Sequence, residues 1–228
     1  MGALPKEDQW FTYADYKEWE LAEGERYELI YGEAYAMSAP SLRHQAILTE
    51  LISQFHNYLR GKPCKVYPAP CDVRLFYDAD ESDDTVVQPD IVVICDEKKR
   101  GPEGCRGAPD LVIEILSPTN TAIEMQKKFD LYLRSGVREY WVVNPENNGL
   151  TVYNFQNINR VVRKLQFLNN YLRKLHFCRA LARKNAGLVR EPTGFPYKSS
   201  IDMYGNEDTV PVATLPGLNI TLEQVFAE

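Results

Sequence analysis

Apolar residues along this chain recur at two periods, and the changes between them mark out its elements. Ile47, Leu48, Leu51, Ile52 and Phe55 fall at helical spacing and predict a helix from Ser41 to Leu59. A second helix is predicted from Ala122 to about Ser135. It carries apolar positions at Ile123, Phe129, Leu131, Tyr132 and Leu133, is capped by the Ser117–Thr121 turn and is closed by Gly136. Thr12 to Ala22 reads as a further helix, capped by Thr12 and stopped by Gly24. Between these lie short β-branched runs bounded by Pro, Gly and charge. Ile91–Cys95, Leu111–Leu116 and Glu139–Val143 are the clearest buried strands.

Weaker strand signals surround them. Arg26–Ile30 and Ala34–Met37 flank the turn Tyr31-Gly32-Glu33 and form a hairpin. Lys65–Ala69 and Asp72–Tyr77 are strand-like, with Pro68 and Pro70 marking a bend. Asn147-Asn148-Gly149 is a hairpin turn returning through Leu150–Phe155. Thr209–Ala213 reads as a strand and Thr221–Ala227 as a short last helix. Asp78–Asp84 and Asp96–Gly107 read as solvated loops, and the acidic one lacks the ligand spacing of an EF-hand. The order of elements predicts an α/β (α+β) domain, a mixed central sheet flanked by helices. One domain over residues 1–228 accommodates it.

From Val161 the pattern changes. Val161, Leu165, Leu168, Leu172, Leu175, Cys178 and Ala182 form one stripe, with Arg163, Lys164, Arg173 and Lys174 mostly elsewhere on the wheel. This is a basic amphipathic helix inside a segment, residues 156–200, that reads as an insertion. It alters the charge picture. The chain carries −6 overall, but residues 156–200 hold ten Lys or Arg against one acid (+9), leaving 16 basic against 31 acidic residues (−15) elsewhere. Three roles remain open for it: contact with a phosphate backbone through those four basic residues, a seam against a second subunit, or no function.

Five scattered cysteines form no Cys-x-x-Cys pair and indicate neither a zinc site nor a disulfide framework. No apolar run is long enough to span a bilayer, and the first residues lack the basic start and apolar stretch of a signal peptide. A reduced, cytoplasmic protein is the expectation. No glycine-rich phosphate cradle, Gly-x-Ser-x-Gly motif or internal repeat is present.

The chemistry concentrates in Gln88 to Tyr132. If the Ile91 and Leu111 strands pair antiparallel, the start of the first lies beside the end of the second, and Asp90 meets Glu114. Asp110 falls roughly 13 Å away at the rise of a strand, near Asp96. Asp90 and Glu114 are therefore candidate ligands of one Mg²⁺ or Mn²⁺ ion, which takes carboxylate oxygens, waters and substrate phosphate. Lys128, about two turns into the following helix, can reach back to them and supply positive charge. His44 sits on the apolar side of its helix, either as a core group or lining the cleft. Glu28 and Glu33 are either solvated residues of the hairpin or a further acid at the site. Tyr132, Tyr140 and Trp141 read as core. Asp72 reads as a strand-edge acid.

An acid, a spacer and a second acid on an apolar strand resemble the PD-(D/E)XK nuclease superfamily. Tyr27-Glu28-Leu29, Gly32-Glu33, His44, Gln88-Pro89-Asp90, Pro109–Pro118, Lys128-x-x-x-Tyr132, Gly136–Trp141 and Leu215–Leu218 resemble the Uma2 family of restriction-endonuclease-like proteins, over about residues 10–155 and 205–228. The superfamily lysine usually lies two residues after the second acid, where this chain has Leu116; the resemblance implies that Lys128 has taken its place. It also implies a restriction-endonuclease-like fold and a metal-dependent endonuclease acting on nucleic acid, DNA above RNA. It favours Glu33 over Glu28 as the extra acid. A homodimer suits cleavage of both strands of a duplex. The competing expectation is a non-catalytic member that binds DNA or assembles.

Overall fold

The computed structural model describes residues 9–19, 21–118, 120–156 and 200–227. The basic segment with Arg163, Lys164, Arg173 and Lys174 lies outside the described residues. In chain order the elements are α1 (Tyr13–Tyr16), β1 (Tyr27–Ile30), β2 (Glu33–Ala36), α2 (Leu42–Leu59), β3 (Lys65–Pro68), β4 (Val73–Arg74), β5 (Val86–Val87), β6 (Ile91–Ile94), β7 (Arg100–Gly101), β8 (Gly104–Arg106) and β9 (Leu111–Ile115). They continue with α3 (Ala122–Ser135), β10 (Glu139–Asn144), β11 (Gly149–Asn154), β12 (Ser200–Tyr204), β13 (Thr209–Pro211), β14 (Asn219–Thr221) and α4 (Leu222–Val225).

The central sheet runs β12-β11-β10-β9-β6-β3. It is mixed: β6 and β9 are antiparallel, β9 and β10 parallel, β10 and β11 antiparallel. The parallel step is made by α3, the crossover that returns the chain to the same end of the sheet. The apolar runs of β6 and β9 are continuous because both faces are covered. Ile91, Val93, Leu111 and Ile113 pack with Ile47, Leu51 and Phe55 of α2 and with the C-terminal segment. Val92, Ile94 and Val112 point the other way, to Leu131, Tyr132 and Leu133 of α3. A second sheet, β2-β1-β5-β4-β8-β7, leads into the first because β5 is followed at once by Gln88-Pro89-Asp90 and β6.

Several expectations are corrected. The first helix is one turn, α1, because Tyr13, Tyr16 and Trp19 pack with Phe11 and Leu29 as a small cluster instead of continuing a helical stripe. The Asp96–Gly107 crossing is no plain loop: it contains a short 3₁₀ turn, Glu97–Lys99, and the β7–β8 hairpin, which Cys105 N ties to Asp72 O at 2.7 Å. Cys64 and Cys95 form a disulfide. The spacing of 31 residues gave no sign of it; pairing of β3 with β6, with Lys65 opposite Ile94, sets the two cysteines side by side just beyond the ladder. Among the described residues no helix is long and apolar enough to cross a membrane.

Candidate active site

Pairing of Ile91 with Ile113 carries the register one step further, so Asp90 lies opposite Glu114 at the end of the β6–β9 ladder. Asp90 replaces a backbone acceptor there: its Oδ2 takes the Ile115 N–H at 2.7 Å. The same oxygen is 3.2 Å from His44 Nε2. His44 reaches it from the first turn of α2, whose start is fixed by Ser41 Oγ accepting the His44 N–H at 3.1 Å. Burial works against a charged imidazole, but the hydrogen bond and charge of Asp90 outweigh it and hold His44 above its ordinary pKa. His44 Nδ1 is buried and has no hydrogen-bond partner among the described residues.

Glu114 is almost wholly buried. Its Oε1 accepts from Lys128 Nζ at 2.9 Å and from the Tyr132 hydroxyl at 2.5 Å. Lys128 and Tyr132 are four residues apart on α3, hence on one face. The capping box of Thr121 and Glu124 starts that helix, and Gly136 ends it in the left-handed conformation. Lys128 Nζ also donates to Glu28 Oε1 at 3.2 Å. Burial pushes the Glu114 carboxyl up to about 7; Lys128 opposes this, and the charges of Asp90 and Glu28 add to it. Burial disfavours the Lys128 ammonium, yet Glu114 and Glu28 more than compensate and hold its pKa above the ordinary value. Lys128 is thus a fixed cation, not a proton acceptor.

Glu28, not Glu33, faces this cation. Glu28 lies on β1, inside the second sheet, and its Oε1 also accepts the Gln88 N–H at 2.9 Å. Glu33 lies on the edge strand β2, exposed, and accepts from Tyr35 Oη at 2.5 Å. The reason is position within the sheet: β1 sits between β2 and β5, so its inward residues reach the site and those of β2 stop at its rim. Asp110 is outside the site. Its Oδ2 accepts the Cys95 N–H at 2.8 Å, and its Oδ1 is 3.1 Å from Arg138 Nη1. Asp72 is not a bare edge acid either: it accepts from Gln88 Nε2 at 2.8 Å and Tyr16 Oη at 3.2 Å.

Tyr132 is the contributor that a reading as core misses. Its ring is buried against Tyr140 at 5.0 Å, but its hydroxyl serves Glu114. The signal was present in the spacing Lys128-x-x-x-Tyr132, which gives two donors on one helix face.

The donor set is narrow. Among the described residues, no three His, Cys, Asp or Glu side chains are grouped so as to hold a metal ion. Asp90 and Glu114 each spend one oxygen on the hydrogen bonds above and, among the described residues, keep Oδ1 and Oε2 without one. Two adjacent carboxylates with one free oxygen each, one of them pushed up by burial, fit a hard cation that retains waters. They do not fit zinc, which takes three or four protein ligands.

The family whose model matches, "Uma2: Putative restriction endonuclease", covers residues 13–182. An uncharacterized protein of Synechocystis, slr1290, is 28% identical over 141 residues, 61% of this chain and 72% of that protein. A crystal structure from Anabaena variabilis, described as a putative nuclease belonging to DUF820, superposes with a TM-score of 0.63 at 18% identity, over 95% of this chain and 98% of that one. At that identity the likeness shows a shared fold.

Proposed function

Because this chain belongs to the Uma2 family of restriction-endonuclease-like proteins, we propose that it is a metal-dependent endonuclease that hydrolyses phosphodiester bonds of nucleic acid, with DNA as the substrate. The observation that carries this reading is the pairing of Asp90 with Glu114 beside a cation, Lys128, that two carboxylates hold at 2.9 and 3.2 Å. Asp90 and Glu114 would hold Mg²⁺ or Mn²⁺ through their free oxygens. Such an ion, when bound, activates water and offsets charge on the phosphate.

The remaining work belongs to the chain's own groups. Lys128 keeps its proton and places positive charge beside the reacting phosphate, where the charge gain is largest in the transition state. Tyr132 and Lys128 together fix Glu114 by one oxygen and so direct the other. The Ile115 N–H and His44 do the same for Asp90. Loss of a single preorganised donor aimed at developing charge costs about 10²–10³ in rate where it is known.

A plasmid-nicking assay tests the proposal. Wild-type protein is expected to convert supercoiled to open-circular DNA with Mn²⁺ or Mg²⁺ and not with EDTA, and Glu114→Ala to be inactive in both. Equal nicking by Glu114→Ala would overturn the role of Glu114, and no nicking by either protein together with no heat on titrating Mn²⁺ into wild type would identify a non-catalytic binding module.

A further inference from the structure

The β1–β2 hairpin and α3 meet along a second line of contacts, just outside the Glu28–Lys128–Glu114 group. Glu28 and Tyr35 face each other across the hairpin ladder. The two consecutive lysines of α3 divide between them: Lys128 takes Glu28, and Lys127 Nζ donates to Tyr35 Oη at 3.0 Å while lying 5.0 Å from the centre of its ring. Lys128 is held between two carboxylates. Lys127 is exposed and forms no ion pair among the described residues; the charges of Glu33 and Glu124 act on it from a distance, and Glu33 also shares the Tyr35 hydroxyl. One turn before Lys127 on the same face of α3 stands Ile123, a large apolar side chain that is 71% exposed. Tyr35 packs in part against the core, but folding explains neither the exposed Ile123 nor Lys127, which stand outside that cluster.

Resting on the hydrolytic reading above, we infer that Tyr35, Lys127 and Ile123 form a subsite for the nucleic-acid strand, taking the backbone phosphate next to the one at Lys128. Glu28 and Tyr35 are cross-strand neighbours with Cα atoms about 5 Å apart, so the two lysines they hold stand side by side, Lys127 on the outer side. A cation set on an aromatic ring beside an exposed apolar group is the combination that single-stranded nucleic acid uses: phosphate to the ammonium, a base against the ring or the aliphatic surface. Tyr35 is a positioning residue for Lys127, and its hydroxyl holds the ammonium over the rim. None of the three touches the reacting atoms.

The test is binding of a fluorescein-labelled oligonucleotide without divalent metal over a salt series, paired with steady-state nicking in Mn²⁺. Lys127→Gln is expected to weaken binding several-fold and to flatten the log–log salt slope by about 0.7 for a single strand or 0.9 for a duplex, the contribution of one phosphate. Tyr35→Phe weakens binding less, and in both variants the loss in nicking is carried by KM. Lys62→Gln is the control: Lys62 also lies over a tyrosine ring, that of Tyr58, but beyond the far end of α2 from His44. It leaves the slope as in wild type. If wild type nicks DNA and Lys127→Gln keeps the wild-type slope and KM, or loses kcat alone, the subsite is overturned and the hydrolytic site stands. If wild type neither binds nor nicks, both are overturned.

Discussion

At the scale of single residues, the two Pro-Asp pairs of this chain do different work despite identical local sequence. Each stands just before a strand, but Asp90 lies beside Glu114 at the end of the antiparallel partner, whereas Asp110 lies at the opposite end of that ladder and is taken up by Cys95 N and Arg138. Asp90→Asn is therefore expected to abolish nicking and leave the melting temperature near wild type. Asp110→Asn weakens the bonds to Cys95 N and Arg138, costs about 1–2 kcal/mol of stability, and retains nicking at permissive temperature. Equal loss of activity by two well-folded variants would contradict the assignment. Glu28 and Glu33 make the same point: two acids five residues apart on one hairpin, one buried against Lys128 and one in water.

Elements are shaped by turns whose constraints differ in kind. Gly136 closes α3 at φ 96°, and a Cβ there would meet nothing within 4 Å. Its replacement by Ala pays only for the left-handed backbone, about 1–2 kcal/mol. Gly32 in the β1–β2 turn also has a positive φ, 80°, but a Cβ would come within 2.4 Å of the Trp10 indole. Gly32→Ala is expected to destabilise more than Gly136→Ala and, unlike it, to shift Trp10 fluorescence. Urea denaturation followed by tryptophan emission measures both. The hairpin so held is the element that delivers Glu28 and Tyr35 to α3, so distortion of this turn is expected to reach the site.

At the scale of the whole molecule, the C-terminal segment is fastened to the central sheet by one acid. Glu139 is fully buried, and its carboxylate accepts from Trp141 Nε1 at 2.8 Å, Ala213 N at 3.2 Å and Thr214 N at 2.7 Å. Val210, Val212, Leu215 and Leu218 complete the core on the α2 face. Glu139→Ala strands three donors in the interior, each worth about 1–3 kcal/mol when left unsatisfied. A loss of roughly 3 kcal/mol or more is expected by urea denaturation, with early proteolytic release of the segment after Gly205. A loss under 1 kcal/mol would mean that this segment is not part of the cooperative unit.

The helices α2 and α3, the strands β6, β9 and β10 and the Asn147–Gly149 hairpin were legible in the sequence because each follows from periods and turn residues within a dozen positions. The adjacency of Asp90 and Glu114 was legible once the two strands were taken as antiparallel, because few registers keep both apolar runs buried. The short strands β5, β7 and β8 were not, since two or three residues carry no period, and β4 fills only two positions of the strand-like Asp72–Tyr77. Neither were the choice of Glu28 over Glu33, the donation of Tyr132 to Glu114 or the Cys64–Cys95 bridge. Each depends on which sheet or helix packs over a residue distant in the chain, and that is decided by burial of the whole core and not by neighbours in sequence.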